Sequence, residues 1–152
     1  MVDIVHRIGI RAPIGDVYQA ISSVAGIAGW WTREMSASTG PEVAMSARFT
    51  DQDGRELGKI CFDLVRPKTE HSVHWRFTEG PEEWIGTEAT FELSRQDGYT
   101  ILLFGHRNWR ETVEFTAHCS MKWAVFLLSL RALTETGKGS PSPQDTKIDN
   151  WN

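Results

Sequence analysis

The stretch YTILLFGHRNWRETVEFTAHCSMKWAVFLLSLRALTET, residues 99–136, contains a change of period that decides the fold. Residues Tyr99 to Trp109 read as a strand. Its run Ile101-Leu102-Leu103-Phe104 is apolar on both faces, which suits a central strand rather than an edge. From Thr112 to Thr136 there is no Gly or Pro, and Phe115, Cys119, Trp123, Phe126, Leu130 and Leu133 fall on one helical stripe. Leu127 widens the stripe, while Lys122, Ser129 and Arg131 lie off it. That is one amphipathic helix, about 35 Å long at ~1.5 Å per residue. Gly137 is placed to end it, and the Pro/Ser/Asp-rich residues 138–152 read as an extended tail.

Upstream the period is two. Ile85, Thr87, Ala89, Phe91 and Leu93 alternate with polar or small residues, and Gln96-Asp97-Gly98 turns the chain into the strand at Tyr99. Val73, Trp75 and Phe77 alternate before them, as do Ile60, Phe62 and Leu64, and Val43, Met45, Ala47 and Phe49. Asp51-Gln52-Asp53-Gly54 is a hairpin signal. Nearer the N-terminus, Asp3 to Arg11 reads as a strand ending at Ala12-Pro13. Ile14, Val17, Tyr18 and Ile21 then mark a helix with Pro13 at its start. A second, shorter helix follows over Val24 to Trp31, weakened by Gly26 and Gly29 and capped by Ser22-Ser23.

The order is strand, two short helices, about six antiparallel strands and one long helix. A curved antiparallel sheet wrapped around the long C-terminal helix buries all of it, an α+β architecture of β-α-α-β6-α type. Such a sheet and a single helix leave a cleft between them. The 152 residues are expected to form one domain, with residues 138–152 as its tail.

Composition narrows the function. The net charge of −4 and the lack of a Lys/Arg run leave no basic face for nucleic acid. No run reaches the ~18 apolar residues of a membrane span. The first residues lack a basic segment followed by an apolar one, so a cytoplasmic location is expected. Two cysteines, Cys61 and Cys119, exclude a disulfide framework and read as free thiols. No metal site is expected, because His71 and His74 face opposite sides of a strand; no cofactor motif is present either. Seven tryptophans are the compositional extreme: either the core is unusually aromatic or it encloses an aromatic-walled cavity.

Ile10-Arg11-Ala12-Pro13-Ile14-Gly15-Asp16-Val17-Tyr18-Gln19-Ala20-Ile21 followed by Gly29-Trp30-Trp31 resembles the opening of START-like (Bet v 1-like, SRPBCC) domains. Trp84-Ile85-Gly86-Thr87, His106-Arg107-Asn108-Trp109 and the ending from Trp123 through Leu130-Arg131-Ala132-Leu133 to Pro141 resemble, more narrowly, the branch related to the C-terminal domain of the activator of Hsp90 ATPase. The resemblance covers nearly the whole chain. It implies a helix-grip fold with an internal cavity for a small apolar molecule, aromatic or polycyclic. The second domain that the eukaryotic co-chaperone uses is absent, so an Hsp90 interaction is not expected. An acidic, Trp-rich chain is compatible with a homodimer.

The inward phases supply the candidate walls: Trp30, Trp31, Met45, Phe62, Trp75, Phe77, Trp84, Phe91, Tyr99, Leu103, His106, Trp109, Trp123 and Phe126. At least two of Trp75, Trp84, Trp109 and Trp123 are expected to converge. His106, Arg107 and Tyr99 are candidates to orient a ligand. Two alternatives remain. One is a cyclase- or hydratase-like enzyme with His106 or His118 as acid or base. The other is a co-chaperone or interaction module presenting an exposed apolar patch. Glu88, Glu92, Glu111 and Glu114 lie on or after strands opposite the apolar phase, and Glu88 and Glu92 read as a solvated sheet face.

Overall fold

The computed structural model describes residues 1–39 and 43–152. Its elements in chain order are β1 (Val2–Ile10), α1 (Ile14–Ser22), α2 (Val24–Ala28), β2 (Glu34–Ala37), β3 (Ala44–Thr50), β4 (Glu56–Val65), β5 (Ser72–Glu79), β6 (Glu88–Gln96), β7 (Tyr99–Trp109) and α3 (Glu114–Thr136). The seven strands form one antiparallel sheet in the order β1-β7-β6-β5-β4-β3-β2. It is the curved-sheet, long-helix architecture of the helix-grip α+β fold. Strands β2 to β7 are a plain meander. Strand β1 joins its far edge by pairing with β7, so the predicted central position of β7 follows from the return to the N-terminus.

Local chemistry explains the corners. Asp97 and Gly98 both take positive φ, 53° and 81°, which gives a two-residue hairpin whose twist matches its strands. At the β3–β4 turn, Asp51 Oδ1 accepts from the Asp53 and Arg55 amides, 2.9 Å each. Ser23 caps α2 by accepting from the Gly26 amide at 3.0 Å. Gly26 is required there, because a Cβ on it would lie 2.6 Å from the Ala20 Cα and the Gln19 carbonyl of α1. Helix α3 ends at Gly137, whose φ of 88° is the left-handed stop.

Three expectations need correction. The short β2 carries no alternating apolar signal and is an added strand, exposed at the sheet edge. Helix α2 stops at Ala28, so Trp30 and Trp31 lie just beyond it rather than on it. Strand β6 starts at Glu88. Trp84 closes a short 3-10 turn, Glu82–Trp84, and Ile85 is exposed. The helix-like turn lets Trp84 swing under the sheet, which an extended chain at that point would not do.

The tail is docked. The Ser142 amide donates to the Trp31 carbonyl at 2.9 Å, and the Arg33 amide donates to the Ser142 carbonyl at 3.2 Å. Lys122, off the apolar stripe, is buried after all. Its ammonium is paired with the fully buried Asp145 carboxylate and donates to the Thr146 carbonyl at 2.7 Å. Among the described residues no helix is long and apolar enough to cross a membrane.

Candidate functional site

The interior between sheet and α3 is occupied mostly by rings. Trp31, Trp123 and Trp84 form a column, each neighbouring pair 5.8 Å apart and within 16° of parallel. Phe62 and Trp30 lie near-parallel to Trp75 on its flanks at 4.6 and 5.8 Å. Phe91 and Phe104 complete the floor, Phe104 lying 4.6 Å from Trp123. Burying so many indoles requires partners for their N–H groups. Trp30 donates to the Ala20 carbonyl at 2.8 Å and Trp75 to the Ile21 carbonyl at 3.0 Å. These are two of the carbonyls left open at the end of α1, so the indoles and the helix terminus satisfy one another.

His106 is fully buried and joins the same network. Trp123 Nε1–H donates to His106 Nδ1 at 3.0 Å, and the other ring nitrogen lies 2.7 Å from Thr87 Oγ1. Indole nitrogen is only a donor, so Nδ1 must be the acceptor and Nε2 carries the proton. Thr87 accepts it and passes its own hydroxyl proton to the Trp84 carbonyl at 2.6 Å. Burial drives the imidazole pKa down to about 3, so it is neutral near pH 7. Both nitrogens are spent. His106 is therefore a structural tie, and the acid–base alternative loses its best proton carrier.

What the rings leave open is a recess of about 140 Å³ between α3, the β3–β4 hairpin and the tail. Trp31, Phe49, Ile60, Trp84, Trp123 and Phe126 wall it. Phe115, His118, Cys119, Lys122, Pro81 and Asn152 complete it. Its polar groups are largely neutralised. Lys122 is held by Asp145. Burial pushes the Cys119 thiol up to about 12, opposed in part by the Trp84 indole N–H beside it. Among the described residues, neither that N–H nor the buried Trp109 N–H meets a hydrogen-bond acceptor. At the recess lining, His118 Nδ1 lies 2.7 Å from Asp149, and the imidazole holds that carboxyl below its usual pKa.

Of the residues anticipated from strand phase, Trp31, Trp84, Trp123 and Phe126 line the recess. Trp30, Met45, Phe62, Trp75, Phe77, Phe91 and Trp109 are buried around it as packing, and His106 as the tie just described. Leu103 is a correction: it projects from the opposite face of the sheet and is 47% exposed. So is Arg107, which pairs there with Asp3 at 3.1 Å. Tyr99 accepts from Arg11 at 2.9 Å over a separate surface depression. Phe49 and Ile60 join the lining beyond those anticipated, and both carry the same alternation signal as Met45. Cys119 and Phe115 lay on the helical stripe. Lys122 and Asn152 had no local signal: the docked tail buries the first and carries the second to the recess lining.

The comparisons follow from this architecture. The chain resembles the solution structure of the Aha1 dimer from Colwellia psychrerythraea, with 39% identity over 91% of this chain and 100% of that one, at a TM-score of 0.77. A Staphylococcus saprophyticus protein shares the fold at 16% identity over 91% and 95% of the two chains, TM-score 0.68. CalU16 from Micromonospora echinospora shares it at 17% identity over 93% and 77%, TM-score 0.67. No curated protein sequence matches. The family model described as activator of Hsp90 ATPase homolog 1-like protein matches residues 11–135, and the chain belongs to that family.

Proposed function

We propose that the protein binds a small, neutral, aromatic molecule about one ring in size in the recess beside α3. The observation that carries this reading is the recess itself: about 140 Å³, walled by Trp31, Phe49, Trp84, Trp123 and Phe126, with the Lys122 ammonium at its lining paired to Asp145. An apolar cavity of about 150 Å³ takes a benzene. The polycyclic guests allowed by the sequence reading need more room than the indole column leaves. Affinity would come from burying ligand rings against Trp31, Trp84 and Trp123, at ~25 cal/mol per Å² of apolar surface.

Toluene titrated into the intact protein, followed by tryptophan fluorescence, tests it. A saturable change is expected, and it should weaken at least about tenfold in an Ile60→Trp variant whose added ring fills the space. No saturable response up to the solubility limit, together with no co-purified small molecule in native mass spectrometry, would remove the proposal. A second reading concerns assembly. The Colwellia relative is described as a dimer, and its 39% identity over nearly the whole chain supports self-association here.

A further inference from the structure

The recess wall holds a polar group that the chain leaves unspent. Trp84 is 7% exposed, and its indole N–H meets no acceptor among the described residues. A buried donor in that state has given up its bond to water and gained nothing in return. Indole nitrogen donates and cannot accept, so only an acceptor relieves it. Other polar groups of the lining are engaged: Lys122 with Asp145, and His118 with Asp149. Trp123, also in the wall, spends its N–H on His106. Trp109 has a buried N–H without an acceptor too, but it does not line the recess. The Trp84 ring is held in place, stacked on Trp123 at 5.8 Å and 16°. Its nitrogen lies beside the Cys119 thiol, and both residues line the recess. Sulfur is a weak acceptor and does not satisfy the N–H here. The thiol turns about a single bond between staggered positions, so it can yield its place to a better acceptor.

We infer that the recess takes a one-ring aromatic compound bearing an acceptor-only group, a carbonyl or a nitrile, whose oxygen or nitrogen receives the Trp84 Nε1–H. The inference rests on the small-aromatic reading above and names the polar group of its ligand. A hydrocarbon of the same shape fills the same space and leaves the donor unpaired. A site with an unpaired buried donor discriminates against a ligand that lacks the matching group. The group is neutral: a carboxylate would have to shed its hydration against an aromatic wall whose ammonium, on Lys122, is already held by Asp145.

Calorimetric titration of the full chain with benzonitrile and with ethynylbenzene, which match in shape, tests the inference. Benzonitrile should bind about tenfold more tightly, because only it offers the N–H an acceptor. It should also move the Trp84 indole N–H signal downfield of its position with ethynylbenzene in proton–nitrogen NMR spectra, since the two rings perturb the signal alike and only the nitrile accepts. The signal is assigned by its loss in Trp84→Phe. That variant removes the N–H and no hydrogen bond with it, and the two probes should then bind within about twofold of each other. Should it fail to fold, Cys119→Ser takes its place: the hydroxyl offers the N–H an oxygen acceptor from within the chain, and the preference for benzonitrile should vanish in the same way. Equal affinity of the parent for the two probes, an indole signal that both place alike, or a preference that survives the substitution overturns the inference and leaves the small-aromatic reading standing. No binding of either probe overturns both.

Discussion

His106 shows how one buried titratable side chain links the core to pH. Its imidazole is neutral in the folded protein because burial holds the pKa near 3, whereas the unfolded chain returns it to about 6.5. The unfolded state therefore takes the proton first as pH falls. Stability should be full above pH ~6.5 and decline toward pH 3, at up to ~1.4 kcal/mol per pH unit. Between pH 7 and 5 a loss of about 2 kcal/mol is expected from urea unfolding, and His106→Gln should flatten that slope. Nitrogen NMR should find the Nε2–H tautomer unchanged from pH 8 to 5. A ring that titrates near 6.5 would refute the tie. Trp123→Phe keeps the ring stack but leaves His106 Nδ1 without a donor. It should cost about 1–3 kcal/mol, and Thr87→Val a similar amount. In the pair, the two losses should be non-additive, since they belong to one hydrogen-bonded chain.

At the scale of elements, α3 is held by more than its apolar stripe. Ser129 donates to the Trp30 carbonyl at 2.9 Å and accepts from the Ser140 amide at 2.8 Å, so one hydroxyl ties the α2–β2 connection, α3 and the tail. Gly139 passes so close that a Cβ would lie 2.5 Å from the Gly29 carbonyl and 2.9 Å from that of Ser129. Gly139→Ala should therefore release the tail. Hydrogen exchange at the Ser140 and Ser142 amides should rise while the β6–β7 ladder stays protected. Exchange unchanged at both amides would show that the tail tolerates the methyl. Lys122→Met is expected to cost ~2–3 kcal/mol, because it removes the nearer ammonium from the Asp145 carboxylate, whose side chain has zero exposure, and leaves it Lys147 at 3.3 Å. Replacing both partners, Lys122→Met with Asp145→Leu, should recover much of that loss in thermal unfolding. The tail is thus tied to α3 by the Ser129 hydroxyl and the Lys122–Asp145 pair, although nothing in residues 138–152 has a regular period.

Across the whole molecule, periodicity carried most of the architecture. The alternation in β3, β4, β5 and β6 and the 3.6-residue spacing in α1 and α3 follow from backbone geometry, and a solvated face opposite a buried one leaves that pattern in the residue types. The site was less legible. Trp31, Trp84, Trp123 and Phe126 could be listed as inward, but phase alone does not distinguish a ring that packs the floor from one that borders a void. Leu103 shows the limit: β7 is apolar on both faces from Ile101 to Phe104, so an apolar residue on its outer face reads the same as one inside. Lys122 shows another, since its burial depends on Asp145, 23 residues away.

By itself the amino-acid sequence determined the elements, their order and the identity of an aromatic core, because those depend on interactions between near neighbours and on which residues leave water. Only the tertiary structure decided how much of the cleft the indoles fill, that His106 is consumed by Trp123 and Thr87, and that the end of the tail borders the recess. Those outcomes depend on distances between residues remote in the chain. A shift of a few ångströms there turns a cavity into a packed core without changing any local pattern.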